Sequence, residues 1–165
     1  MIRFVLAAML LVGCRISLEN EGSNDPNATG RVCAVSNSQP CLDAVNAPAT
    51  LAWVETNIFK ASCLFSGCHD GVSGNESSLD LQPGKSGAHL VNVASFIDNT
   101  RKFVVPNDIH ASWMMVMLRD YAPGSATPPA AGLPSAGGMP QSADPLCCQK
   151  LDAIERWINA GAPTN

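Results

Sequence analysis

Apolar positions recur with helical spacing where the polar stretch of residues 14–49 ends. Leu51, Val54 and Ile58 stand at i, i+3 and i+7, which places them on one face of a helix. Thr50 precedes this run and is a residue type that caps helix N-termini. The pattern predicts a helix from Leu51 to about Ala61.

The clearest helical pattern lies at the C-terminal end. Asp144 is the expected N-cap, Pro145 takes the first helical position, and Gly161 followed by Pro163 ends the helix. One face of this helix carries large apolar residues, which we expect in the core: Leu151, Ile154, Trp157 and Ile158.

A third helix is predicted after a turn that contains Pro106, with Asp108 as a possible cap. It carries a run of apolar side chains that we interpret as core: Trp113, Met114, Met115, Met117 and Leu118. Residues 122–140 follow and hold five prolines and four glycines in 19 residues, so they are predicted to be irregular. Long irregular loops in compact domains are usually functional or disordered.

These patterns predict a small all-α domain with long loops at residues 50–165. Residues 14–49 are polar and rich in Asn, Ser, Gly and Pro, and we interpret them as a flexible tether. The composition agrees with a packed domain, because 46% of the 165 residues are apolar. A formal charge of −4 without a basic cluster argues against a nucleic-acid partner.

The first 13 residues are predicted to be an export signal. An Arg is followed by an apolar run over residues 4–12, which is too short to span a bilayer and suits a secretory signal. The run stops at Gly13-Cys14, which resembles the lipobox of bacterial lipoproteins. The resemblance implies lipidation of Cys14, and Arg15 in the next position suggests the outer membrane, facing the periplasm or the cell surface. An ordinary signal peptide with an incidental Cys14 is the alternative.

Cys63, Cys68 and His69 form the group with the most distinctive chemistry. Two cysteines followed directly by a histidine are typical of c-type haem attachment, where the thiols add to the porphyrin vinyl groups and the imidazole reaches the iron. The usual spacing has two residues between the cysteines, whereas four stand here. The extra pair must bulge, and Ser66-Gly67 supplies a flexible backbone for that.

A second axial ligand is available in Met139, which lies 70 residues after His69 and is followed by Pro140 and the last helix. The order of several short motifs is similar to that of the planctomycete-type group of bacterial cytochrome c domains, in which the cysteine spacing varies. Those motifs are Gly67-Cys68-His69-Asp70-Gly71, Leu79-Asp80-Leu81, Val104-Val105-Pro106, Met139-Pro140 and Ile154-x-x-Trp157-Ile158-x-x-Gly161-Ala162. The resemblance covers about residues 50–163.

The resemblance implies a cytochrome c-like fold with one covalent haem c. Cys63 and Cys68 would form the thioether links, His69 would be the proximal iron ligand and Met139 the distal one. A neutral thioether is a poor donor, so this pair would give a raised reduction potential. His89 and His110 are rival distal ligands. The alternatives for the two cysteines are a small disulfide, or a zinc site that includes His69.

Four cysteines remain: Cys33, Cys41, Cys147 and Cys148. Seven cysteines in so short a chain indicate an oxidising compartment. Either each of the adjacent pair bonds to one of Cys33 and Cys41, or Cys33 and Cys41 pair and the other two stay free. We favour the first arrangement, since it uses every thiol and ties the tether to the last helix.

Two functions follow as hypotheses. The first is a membrane-anchored monohaem electron carrier that transforms no substrate itself and exchanges electrons with a redox protein partner. The second is a haem-free, disulfide-bonded lipoprotein module that binds a surface partner. A phosphate site at the Gly-rich residues 71–74 is not indicated, because the Lys and the strand–helix context are missing.

Overall fold

The structure is a computed structural model that describes residues 31, 33–65, 68–71, 79–133, 137–141 and 143–164. The predicted export signal at 1–13, Cys14 and the tether up to residue 30 lie outside the described residues. Within the described part of the chain, none of the helices is both long enough and apolar enough to cross a membrane.

The described residues form a helical domain, which confirms the all-α expectation. Extended pairing in these residues is limited to isolated bridges, for example Val91 with Val104. The α-helices are α1 (Gln39–Val45), α2 (Leu51–Val54), α3 (Lys60–Ser62), α4 (Ser86–Leu90), α5 (Trp113–Met117) and α6 (Cys148–Asn159). A π-helical segment (Glu55–Phe59) joins α2 to α3, and a 3₁₀ turn (Pro123–Ser125) stands at the start of the long loop.

The first predicted helix is confirmed from Leu51 to Ser62, with a change of helical type in its middle. The Thr50 hydroxyl accepts a hydrogen bond from the Trp53 N–H at 3.4 Å, so the predicted cap is present. The π-helical segment is inserted between the two α-helical parts, and single π turns are often found near functional sites. Cys63 follows the end of α3 directly, and its N–H donates to the Phe59 carbonyl at 2.7 Å.

The predicted tether ends much earlier than residue 49. Helix α1 lies within it and packs against α6, and Ala44 and Ala47 are buried. Two disulfides, Cys33–Cys148 and Cys41–Cys147, join this segment to the start of α6. The favoured pairing of the four cysteines is therefore confirmed. A short helix with few buried residues leaves little apolar periodicity in the sequence, and that is why the segment looked like a linker.

Helix α6 begins later than predicted. Its N-cap is Cys147, without a side-chain hydrogen bond, while Asp144 and Pro145 lie exposed in an extended lead-in. The two disulfides fix the start of α6, and the segment around residues 34–36 of the same chain packs against this start. The Gln149 amide donates to the Ser36 carbonyl at 2.6 Å, and the Cys148 N–H donates to the Ala34 carbonyl at 3.1 Å.

The core predicted for α5 and α6 is confirmed. The side chains of both helices that were expected inside are buried: Trp113, Met114, Met115, Met117, Leu118, Leu151, Ile154, Trp157 and Ile158. Asp108 does cap a turn, since its carboxylate accepts from the Ala111 N–H at 2.9 Å, but α5 itself starts only after Ser112. Gly161 has φ +91°, a left-handed conformation that ends α6.

Candidate cofactor site

A cleft between the end of the first helix, the segment around residue 80, α5 and the end of the long loop is the candidate site. We call it the central cleft. The volume that the centre of a water-sized sphere can reach in the cleft is about 270 Å³. The empty space is about 1040 Å³ when the solvent at the open mouth is counted. Its walls are mostly apolar and include Phe59, Leu79, Leu81, Leu90, Phe103, Met114, Met117 and Leu118. Apolar walls with a few polar groups are typical of ligand sites.

The four residues singled out by their chemistry, Cys63, Cys68, His69 and Met139, all line the central cleft. They come from segments up to 76 positions apart in the sequence, so the fold brings them together. Phe65 also lines the cleft and is 45% exposed, which shows that the cleft opens to solvent beside the cysteines.

The two cleft cysteines differ from the other cysteines that the structure describes. Cys63 and Cys68 carry free thiols, whereas Cys33, Cys41 and their partners are in disulfides. The small disulfide considered as an alternative is therefore not formed in this structure. Burial raises the pKa of the Cys63 thiol to about 12, helped by the adjacent Cys68 and opposed by Lys150. A thiol that keeps its proton at neutral pH is poorly suited to bind zinc as a thiolate.

His69 is held in the cleft by its own backbone. Its N–H donates to the Cys63 carbonyl at 3.0 Å, and its carbonyl accepts from the Leu81 N–H at 2.8 Å. These bonds close the cysteine loop and pin it against the segment around residue 80. The bulge expected at Ser66-Gly67 lies outside the described residues.

The chain that follows His69 is fixed by Asp80 and Gln82; the sequence analysis named Asp80 only as part of a motif and did not name Gln82. The Asp80 carboxylate accepts from the Gln82 N–H at 2.9 Å and pairs with the Lys85 ammonium at 3.2 Å. The Gln82 side-chain amide donates to the Asp70 carbonyl. An Asp between Leu79 and Leu81 was the available signal, because a carboxylate between apolar residues needs partners.

Met139 reaches the cleft because the end of the long loop contacts the end of α5. Its N–H donates to the Met117 carbonyl at 2.6 Å. Gly138, directly before it, is buried against the Arg119 side chain. The loop predicted to be irregular is thus anchored where it carries Met139.

The rival ligands lie elsewhere. His110 is exposed, its ring nitrogen Nδ1 is 3.2 Å from the Ser125 carbonyl, and neither it nor His89 lines the central cleft. The zinc alternative gains no support, since no group of three or more His, Cys, Asp or Glu side chains is arranged as a metal site in the described ranges.

Comparison of the chain with protein-family models, with characterised proteins and with solved structures found no match.

Proposed function

We propose that the protein is a c-type cytochrome that carries electrons and holds one covalent haem in the central cleft. One observation carries the proposal: Cys63, Cys68, His69 and Met139 line the same apolar cleft, and both thiols are free in a molecule whose other described cysteines are bonded. The cytochrome c-like fold is part of this proposal and rests on the order of the sequence motifs, from Cys68-His69 through Met139-Pro140 to the last helix.

The residues present fit such a group. Two free thiols at the cleft can be consumed in thioether links, and an imidazole and a thioether face the same space. The cleft volume of about 270 Å³ lies near the lower end of the range of ligand sites, and the cleft is open to solvent on one side, beside Phe65. When bound, haem would supply an iron that accepts and releases one electron.

The chain would tune the potential in three ways. His69 and Met139 would hold the iron, and the weakly donating thioether of Met139 would favour the reduced state. The apolar walls would exclude water and also favour the state of lower charge. The backbone bonds of His69 to Cys63 and Leu81 would fix the orientation of the proximal ligand.

The partner would be another redox protein that approaches the open side of the cleft, beside Phe65. Catalysis would reside in that partner and not in this chain. The proposal includes export and a lipid anchor at Cys14 in the outer membrane. The two disulfides support the export step, because such bonds form and persist in oxidising compartments.

The test is a reduced-minus-oxidised spectrum of the full chain matured with and without c-type haem assembly factors. We expect a sharp alpha band only with the factors. A colourless product from the complete assembly system would overturn the proposal and favour the haem-free, disulfide-bonded module.

Ligand identity is tested with Met139→Leu, which keeps the volume but removes the sulfur. We expect loss of the weak near-infrared sulfur-to-iron band and a lower potential. The matched control is Met115→Leu, since Met115 is fully buried and does not line the cleft. If the band survives in Met139→Leu, or if the wild type lacks the band and its spectrum changes only in His110→Ala, the assignment of Met139 is wrong.

A further inference from the structure

The end of the long loop and the turn after α5 approach each other with no room for a side chain at residue 138. A Cβ atom on Gly138 would lie 2.1 Å from Nε of Arg119, 2.8 Å from its Cγ and 3.0 Å from its Cδ. The Arg119 side chain therefore occupies the space beside Gly138 in which a Cβ atom would stand. The same guanidinium is 3.5 Å from the Gly138 carbonyl, at the long limit of a hydrogen bond.

A backbone hydrogen bond stands on the other side of that peptide. The Met139 N–H donates to the Met117 carbonyl at 2.6 Å. Residues 117 and 119 thus hold residues 138 and 139 with one backbone contact and one side-chain contact. A shift of the 138–139 peptide would break the backbone bond and would require the Arg119 side chain to move.

The turn that carries Arg119 is itself rigidly placed. Arg119 has φ +63°, a conformation that non-glycine residues adopt only when the surroundings require it. The next residue, Asp120, is fully buried, its N–H donates to the Met115 carbonyl at 3.0 Å, and its carboxylate accepts from Arg31 at 2.6 Å. The backbone position of Arg119 is therefore fixed, so its side chain can hold the end of the long loop at Gly138.

We propose that Arg119 is the positioning residue that keeps the Met139 sulfur directed into the central cleft. This inference rests on the proposed function, since it concerns Met139 as a ligand. In the described residues between Thr127 and Gly137, the loop is tied to the domain at its start, by the Thr127 N–H, which donates to the His110 carbonyl, and by Arg101, which donates to the Pro128 and Pro129 carbonyls. Beside the backbone bond of Met139 to Met117, the contact of Arg119 with Gly138 is the side-chain contact next to the ligand residue.

The test compares Arg119→Asn with Arg119→Lys in the full, haem-loaded chain. Asn tolerates the left-handed conformation, so the backbone of the turn is preserved while the contact with Gly138 is lost. Lys keeps the aliphatic stem that covers Gly138. The matched control is Arg156→Gln, which removes a guanidinium that donates to the Ala44 carbonyl at 2.6 Å, away from the cleft.

Two readouts report on the position of the sulfur, and neither is an activity. The first is the near-infrared sulfur-to-iron band. The second is the Kd of added imidazole, which must displace Met139. For Arg119→Asn we expect a weaker band and imidazole binding at least about tenfold tighter, with both readouts near wild type in Arg119→Lys and in the control. A purely structural role would lower the unfolding midpoint and leave both readouts unchanged.

The outcomes separate this inference from the proposed function. If wild-type protein carries haem and a Met139 signal, but Arg119→Asn binds imidazole within twofold of wild type, the positioning role is wrong and the cytochrome assignment stands. If Arg119→Asn does not fold, hydrogen exchange of the Met139 amide in Arg119→Lys and in Gly138→Ala decides. Exchange faster than wild type in Gly138→Ala alone supports the inference, and unchanged exchange in both overturns it. If wild-type protein never takes up haem, both proposals fail together.

Discussion

Removing one of the two disulfides should cost much less stability than removing the second, whichever bond is removed first. The bonds Cys33–Cys148 and Cys41–Cys147 are nested, with sequence separations of 115 and 106. While one bond is intact, the other closes a loop of only about ten residues, because the path runs through the remaining bond. Loop-closure entropy then gives about 2.7 kcal/mol for the first bond removed.

The second bond is different, because its loop is then the whole domain. The same relation gives about 4.8 kcal/mol for a loop of more than about 100 residues. The total of about 7.5 kcal/mol is comparable with the whole stability of an ordinary domain. We therefore expect a protein without one bond to fold, and a protein without both to be at the edge of unfolding.

The assay is urea unfolding of the full exported chain with linear extrapolation to water. The variants are Cys41→Ala with Cys147→Ala, then Cys33→Ala with Cys148→Ala, then all four together. Either single-bond variant should lose about the same free energy of unfolding, since the closed loop is the same in both. Single losses of about 5 kcal/mol each, or a second loss smaller than the first, would refute the loop argument.

Three further predictions concern single residues. Burial raises the pKa of Asp120 to about 7, so the folded state binds the Asp120 proton more tightly than the unfolded state does. The free energy of unfolding should therefore fall as the pH rises from about 4 to 7. Asp120→Asn should flatten this pH dependence, measured by urea unfolding at each pH. An unchanged slope would contradict the raised pKa. Gly71 has φ +73°, and a Cβ there would lie 2.6 Å from the Asp80 carboxylate, so Gly71→Ala should lose about 2 kcal/mol of unfolding free energy; a loss below about 0.5 kcal/mol would show that the turn can relax. Glu55 is buried and accepts from the Ser86 hydroxyl at 2.7 Å, so Glu55→Gln should lose about 1–2 kcal/mol, and a neutral result would mean that its charge adds nothing to that bond.

The helices that the sequence predicted are those that bury a wide apolar face. The spacing of Leu51, Val54 and Ile58 exists because all three are buried, and burial is what periodicity records. The start of α6 was misplaced, since Asp144 and Pro145 look like helix-starting residues but the disulfides at Cys147 and Cys148 decide where the helix begins.

Helix α1 was missed for a related reason. It is seven residues long, and only Cys41 and Ala44 of it are buried, so no period could be read. Its position depends on bonds and contacts with α6, more than 100 residues away. Contacts of that kind leave no local pattern.

Some features of the candidate site could be predicted from the sequence, and others could not. Cys63, Cys68, His69 and Met139 could be selected because their chemistry is visible in the sequence, and all four line one cleft. The contact of Arg119 with Gly138 could not be predicted. It depends on a backbone approach between two loops, in which a glycine is needed only because an arginine stem occupies the space.

The central claim is that haem is bound covalently at Cys63 and Cys68. Trypsin should release residues 61–85 as one peptide, because Lys60 and Lys85 bracket a stretch without Lys or Arg, and this peptide contains both cysteines and His69. Its mass under denaturing conditions, taken from protein matured with c-type haem assembly factors, is the most direct test. The account predicts the peptide mass increased by one haem. A peptide of unmodified mass, or one lighter by two hydrogens from a Cys63–Cys68 disulfide, would contradict it.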